Sequence, residues 1–66
     1  MEILLNGESR EFIGPQTVTS LLDAAGFAGR RVAVEVNREI VPRSRHAVHV
    51  LADGDAVEII QAMGGG

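Results

Sequence analysis

The sequence contains no cysteine and no lysine, and phenylalanine is its only aromatic residue type. Without cysteine the chain can form neither a disulfide framework nor a thiolate metal site, so a hydrophobic core has to stabilise the fold unaided. Any sulfur chemistry carried by the protein therefore has to use a group other than a thiol. The absence of lysine likewise excludes an isopeptide bond on a side chain of this chain.

Long apolar runs are also missing. No segment approaches the roughly 20 apolar residues that span a bilayer, and the opening MEILLNGESR lacks the basic start, apolar middle and small-residue cleavage site of a secretory signal. A chain of 66 residues is the size of one small domain. We therefore expect a soluble, single-domain protein of the cytoplasm.

Charge is distributed unevenly along the chain. All six basic residues are arginine, and residues 30–45 hold five of them against two glutamates, a local charge of +3. The rest of the chain has one arginine against seven carboxylates, which gives −6 and makes the formal net charge −3. An acidic chain with only Phe12 and Phe27 for stacking is a poor candidate for nucleic-acid binding. The arginine cluster leaves an anionic partner open.

The chain begins with a predicted β-hairpin. Asn6-Gly7 is the strongest short-range hairpin signal, because both residues tolerate the positive φ of a type I′ turn. A two-residue turn puts Phe12 on the same core-facing side as Ile3. A bulged turn would shift the second strand by one residue and bring Ile13 inward instead.

One helix is predicted near residues 17–25. Thr17 is a suitable N-cap, and Gly26 stands where a left-handed residue ends a helix. Apolar residues recur between them at helical spacing: Val18, Leu21, Leu22 and Ala25. A helix with a single apolar stripe has to pack on a sheet.

Extended segments follow the helix. Residues 32–36 alternate valine with other residues, and the short pair 40–41 is stopped by Pro42. Residues 46–63 have the pattern of a strand, a turn at Asp53-Gly54 and a final strand. In that last strand Val57 and Ile59 point to the core.

This order of elements predicts the fold. The connection through the only predicted helix should be a right-handed crossover, and one helix can cover only one face of the sheet. These two features predict an α+β fold of the β-grasp (ubiquitin-like) type. We expect a four- to five-stranded mixed sheet packed on one helix, with the first and last strands adjacent at the centre. Residues 1–63 would form this domain, and residues 64–66 a flexible glycine tail.

The three glycines at the end of the sequence are the feature that points to chemistry. Gly64, Gly65 and Gly66 could be a frayed end or a leftover linker, but they follow the final strand directly. A segment without side chains can enter a partner's active site through a channel too narrow for any Cβ. It would deliver the Gly66 carboxylate, which needs activation, most simply by ATP to an acyl-adenylate. The chain is therefore expected to be a macromolecular substrate and not an enzyme.

Other candidate residues have simpler interpretations. His46 and His49 would lie on opposite faces of a strand as surface histidines, so no metal site is expected there. The DGD sequence lacks the further oxygen ligands of a cation loop and predicts a turn. Ile60 and Ala62 would lie on the outer sheet face beside the tail, next to Met63, and an apolar patch there often marks a protein contact. We expect these three residues to bind a partner.

Several segments together resemble a known family. MEILLNG, QTVTSLL, VEVNREIVPR and DGDAVEI, followed by a diglycine end, resemble the ThiS family of sulfur carriers in thiamine biosynthesis over essentially the whole chain. The resemblance implies that an E1-like adenylating enzyme uses ATP to activate Gly66. It also implies that a sulfur-donor system converts Gly66 to a thiocarboxylate, which supplies sulfur to thiazole synthase. Gly65 would complete the diglycine, and Gly64 extends it by one residue. The resemblance implies no cofactor bound to the chain itself.

Two alternatives stay open at this point. A carrier of the molybdopterin-synthase small-subunit type would use the same tail chemistry, usually on a longer chain. A non-covalent β-grasp protein-binding module would make the terminal glycines irrelevant to function.

Overall fold

The computed structural model describes residues 1–61, which form a five-stranded sheet with one α-helix. The elements are β1 (Glu2–Leu5), β2 (Glu8–Glu11), α1 (Val18–Ala24), β3 (Val32–Val36), β4 (Glu39–Val41), a short 3-10 helix (Arg43–Arg45) and β5 (Ala56–Gln61). The sheet order is β2-β1-β5-β3-β4. β1 and β5 are parallel, and the other neighbours are antiparallel. The predicted β-grasp fold, with its mixed sheet and adjacent first and last strands, is confirmed.

The N-terminal hairpin has the predicted two-residue turn. Asn6 and Gly7 both have positive φ, 51° and 83°. The amide of Phe12 donates to the carbonyl of Met1 at 2.8 Å. Phe12 packs against the core, whereas Ile13 is 98% exposed. The unbulged register is therefore the one the chain adopts.

Helix α1 begins and ends at the predicted signals. The Thr17 hydroxyl accepts from the Ser20 amide, and the Ser20 hydroxyl accepts in return from the Thr17 amide, forming a capping box. At the other end Gly26 has φ of 86°, and the Phe27 amide donates to the Leu22 carbonyl at 2.8 Å. This is a Schellman motif, which brings Phe27 back toward the helix.

The core lies between α1 and the inner face of the sheet. Strands β3 and β5 contribute the inward positions predicted from their alternation, including Val34 and Val57. The buried apolar residues are Ile3, Leu5, Val18, Leu21, Leu22, Val34, Val36, Val41, Leu51, Val57 and Ile59. Within residues 1–61, no helix is both long and apolar enough to cross a bilayer.

The prediction of a strand that begins at His46 is wrong. The chain continues from the 3-10 helix into turns, and Val50 makes only an isolated bridge with Thr17. The physical reason lies at the start of α1, whose first amides have no acceptor within the helix. The Val18 and Thr19 amides donate to the carbonyls of His49 and His46, at 3.0 Å each. The turn conformation places these carbonyls where the helix needs them.

His46 is consequently not the surface residue that we expected. The residue is 8% exposed, and its Nε2 lies 3.0 Å from the Val41 carbonyl oxygen. Because a carbonyl oxygen can only accept, Nε2 is the donor in this bond. His49 is half-buried.

The DGD sequence forms the predicted turn, with φ of 87° at Gly54. Its carboxylates accept hydrogen bonds from the backbone. Asp53 accepts from the Glu2 amide at 2.7 Å, and Asp55 accepts from the Ala52 amide at 2.8 Å. The turn thereby ties the start of β1 to the start of β5.

Candidate functional site

β5 is the last strand that the structure describes, and it ends at Gln61. β5 lies at the centre, parallel to β1 and antiparallel to β3. Its last residue, Gln61, is paired with Val32 at the start of β3. The predicted tail, Gly64–Gly66, and the predicted contact residues Ala62 and Met63 lie outside the described residues. The strand that leads to them is fixed in the sheet as far as Gln61.

The side chain of Asn6 supports this strand. β1 pairs with β5 only as far as Val57, but the Asn6 amide then donates to the Val57 carbonyl at 2.9 Å. The Asn6 side-chain oxygen accepts from the Ile59 amide at 2.8 Å and so extends the connection by two residues. The Asn6-Gly7 pattern predicted the turn conformation of Asn6 but not this contact, because the Asn-Gly signal is local and Ile59 is distant in sequence.

Asn6 can be tested without changing the turn. Replacing Asn6 with glycine keeps a residue that tolerates positive φ but removes the acceptor of the Ile59 amide. We expect exchange of the Ile59 amide hydrogen to become about fivefold faster, since one net hydrogen bond contributes about 1 kcal/mol. Asn6→Asp keeps an acceptor oxygen and should retain protection. Equal Ile59 exchange rates in Asn6→Gly and the wild type would contradict this role.

The outer face of the sheet carries exposed apolar side chains. Ile60 is 48% exposed and points away from the core, as predicted, while its neighbour Ile59 is buried. Leu4 on β1 and Ile40 on β4 are also exposed, at 44% and 62%. Alternation places all three on the face opposite α1, with Ile60 nearest the end of β5. Leu4 and Ile40 were not predicted to lie on this surface, although their positions in alternating strands carry the signal.

Two carboxylates lie directly opposite each other on the same face. Glu35 of β3 pairs with Glu58 of β5, and Ile40 flanks Glu35 on the other side. Like charges at opposed positions of neighbouring strands are destabilising. Among residues 1–61 the salt bridge found joins the N-terminal ammonium to Glu11, and neither Glu35 nor Glu58 has a cationic partner there. The outer face is therefore both apolar and acidic.

The sheet order, the single covering helix and the central C-terminal strand define a ubiquitin-like β-grasp protein. The sequence model of the ThiS family matches residues 3–66. The chain therefore belongs to the ThiS family.

Three similar proteins agree with this assignment. The chain is 35% identical to the sulfur carrier protein ThiS of Escherichia coli (strain K12) over 66 residues, which is the full length of both. It is 47% identical to a segment of a thiazole synthase of Paramagnetospirillum magneticum, and spans 20% of the length of that protein. A crystal structure of the thiamine biosynthesis protein ThiS from Geobacter metallireducens superposes with a TM-score of 0.85, at 38% identity and full coverage of both chains.

Proposed function

We propose that this chain is a sulfur carrier protein of thiamine biosynthesis, which acts as a protein co-substrate and not as a catalyst. The observation that carries the proposal is the family match over residues 3–66, which includes the terminal glycines. The full-length similarity to the E. coli carrier supports the thiamine pathway over the molybdopterin alternative. Neither the molybdopterin carrier nor the non-covalent module has a comparable observation in its favour.

The proposed chemistry takes place on Gly66. Its carboxylate attacks the α-phosphorus of ATP in the active site of an E1-like adenylating enzyme, pyrophosphate leaves, and an acyl-adenylate forms. Hydrosulfide, or its equivalent from a sulfur-donor system, then attacks the acyl carbon. AMP leaves with one of the former carboxylate oxygens, and the product is a thiocarboxylate. Carbon keeps its oxidation state throughout, so this exchange of oxygen for sulfur requires no redox cofactor on the carrier.

Gly64 and Gly65 have a steric role in this proposal. A backbone without Cβ atoms fits a channel that excludes other residues, so the two glycines allow Gly66 to reach the adenylating site. The fixed end of β5 gives the segment a defined starting point, since Gln61 is still paired with Val32. Five residues separate Gln61 from the terminal carboxylate, a reach of at most about 18 Å when extended.

The outer sheet face is the proposed contact surface for partners. Ile60 is exposed next to the end of β5, and we propose that Ala62 and Met63 continue the contact toward the tail. Burial of this apolar surface against a partner stabilises the complex, and Glu35 and Glu58 favour a partner with basic side chains nearby. A cationic partner would also relieve the repulsion between the two carboxylates.

Thiazole synthase is the proposed acceptor of the sulfur. In Paramagnetospirillum magneticum a segment similar to this chain is part of a protein named thiazole synthase. Joining a carrier covalently to its acceptor raises the effective concentration of one at the other. We propose that the present chain makes the same association, between separate chains or within one.

The experiment that tests this function is ATP–pyrophosphate exchange. An E1-like adenylating enzyme is incubated with ATP and labelled pyrophosphate, with and without the chain. We expect label to enter ATP only when the chain is present, because reversal of acyl-adenylate formation needs the Gly66 carboxylate. Equal exchange without the chain, or none with it, would contradict the proposal.

A further inference from the structure

A cavity of about 530 Å³ lies on the helix side of the molecule, away from the outer sheet face. It is bordered by one side of α1 from Thr19 to Asp23, by the loop that follows, and by the 3-10 helix after β4 with His46. Its volume is within the range of small-molecule sites. The carrier function proposed above does not use this cavity.

One wall of the cavity is apolar and held in place by the backbone. Leu22 is buried in the core, and Phe27 is half-buried against it. The hydrogen bond from the Phe27 amide to the Leu22 carbonyl fixes the two residues relative to each other. His46 forms another part of the lining, where its bond to the Val41 carbonyl holds the ring in the buried position. This part of the cavity is therefore formed before any ligand binds.

Two arginines border the same cavity. Arg30 precedes β3 and Arg43 follows β4, and the antiparallel register of the two strands brings these ends together. Asp23 is the one carboxylate among the lining residues in the described chain. Neither arginine forms a salt bridge within residues 1–61, so their donors are not already occupied by carboxylates of this part of the chain. The cavity therefore combines an apolar wall with a net positive rim.

We infer that this cavity is a binding site for a small organic anion. A carboxylate or phosphate group lies between Arg30 and Arg43, whose planar guanidinium groups bind oxyanions with paired hydrogen bonds. The apolar or aromatic body of the ligand packs against Leu22 and Phe27. The two arginines together outweigh the charge of Asp23, so the rim disfavours cationic ligands of the same size. Binding at this site is independent of the chemistry on Gly66, because the two use different residues.

The test uses the full chain labelled with ¹⁵N and two probes, phenyl phosphate and benzoate, which distinguish a phosphate ligand from a carboxylate ligand. We expect saturable amide shifts concentrated at Phe27–Arg30 and Arg43–His46 with at least one probe. Inorganic phosphate, which has no apolar body, should bind at least about tenfold more weakly. Arg43→Gln should lower the affinity for the tighter-binding probe by about tenfold, the loss expected when one charge-assisted hydrogen bond is removed.

Arg45→Gln is the matched control, since Arg45 belongs to the same 3-10 helix but is not among the residues lining the cavity. It should change affinity less than twofold. Arg30→Gln, which enters the cavity from a different loop, provides a second variant if Arg43→Gln fails to fold. The inference is overturned if neither probe gives saturable shifts, if Arg45→Gln weakens binding as much as Arg43→Gln, or if inorganic phosphate binds as tightly as both organic probes.

Discussion

Replacing Gly65 with valine should abolish ATP-dependent adenylation of this chain and leave its melting temperature unchanged. The core of the described residues is built between Ile3 and Ile59, and a glycine has no side chain to contribute to it, so we expect the substitution to leave the fold intact. The β-branched side chain would instead block a channel that accepts only bare backbone. The measurement is ATP–pyrophosphate exchange with the adenylating enzyme, alongside thermal unfolding of both proteins. We expect exchange to fall by at least about 100-fold, which corresponds to about 2.7 kcal/mol.

Two further variants distinguish a side chain that blocks the channel from a carboxylate that no longer reaches the adenylating site. Gly65→Ala adds a single methyl group and should give an intermediate exchange rate. Deleting Gly66 adds no bulk but withdraws the carboxylate by up to about 3.6 Å, and should also abolish exchange. Wild-type exchange rates in Gly65→Val would contradict the narrow-channel model, and normal exchange after deletion of Gly66 would contradict the assigned reactive residue.

The second large effect is expected at Ile60. Replacing Ile60 with glutamate puts a charge on the apolar outer face, beside an already acidic pair of strands. Ile60 is about half exposed, so its further burial in a complex contributes on the order of 1 kcal/mol, and burying an unpaired carboxylate costs more. We expect the dissociation constant for the adenylating enzyme to rise at least about tenfold. The free energy of unfolding should fall by less than about 1 kcal/mol.

Val48→Glu is the matched control for this substitution. Val48 is 63% exposed, and it lies in the turns after the 3-10 helix and not on the sheet. The Val48→Glu substitution introduces the same charge at a residue that is also largely exposed. It should therefore leave the affinity for the adenylating enzyme nearly unchanged. Calorimetric titration of both variants decides the matter. A large loss of stability with unchanged affinity in Ile60→Glu would mean that Ile60 supports the fold and not the partner contact.

The features that were predictable from the sequence are those set by local backbone chemistry. The Asn6-Gly7 turn, the Thr17 cap and the left-handed Gly26 each depend on a few neighbouring residues, and each is found in the structure. Alternation in β3 and β5 predicted the inward positions correctly, because the side-chain period of a strand is fixed. These signals, with one helix and a right-handed crossover, were enough to predict the β-grasp topology.

The features that were missed depend on residues far apart in sequence. The alternation of residues 46–51 predicted a strand, but it carries no information about the unpaired amides at the start of α1. Those amides take the carbonyls of His46 and His49 as acceptors, and His46 is buried as a result. The cavity bordered by Arg30 and Arg43 was missed for the same reason. The β3–β4 register brings together two loops that are far apart in the sequence.

Mass spectrometry of the chain after reaction tests the carrier function most directly. The wild-type protein is incubated with its adenylating enzyme, ATP and the sulfur-donor system, then measured intact and after fragmentation. We predict a mass increase equal to the difference between sulfur and oxygen, located on Gly66, that requires ATP. The Gly65→Val variant should show no increase under the same conditions. A sulfur atom on an internal residue, or an unmodified Gly66 in a mixture that sulfurates the E. coli carrier, would contradict the proposed function.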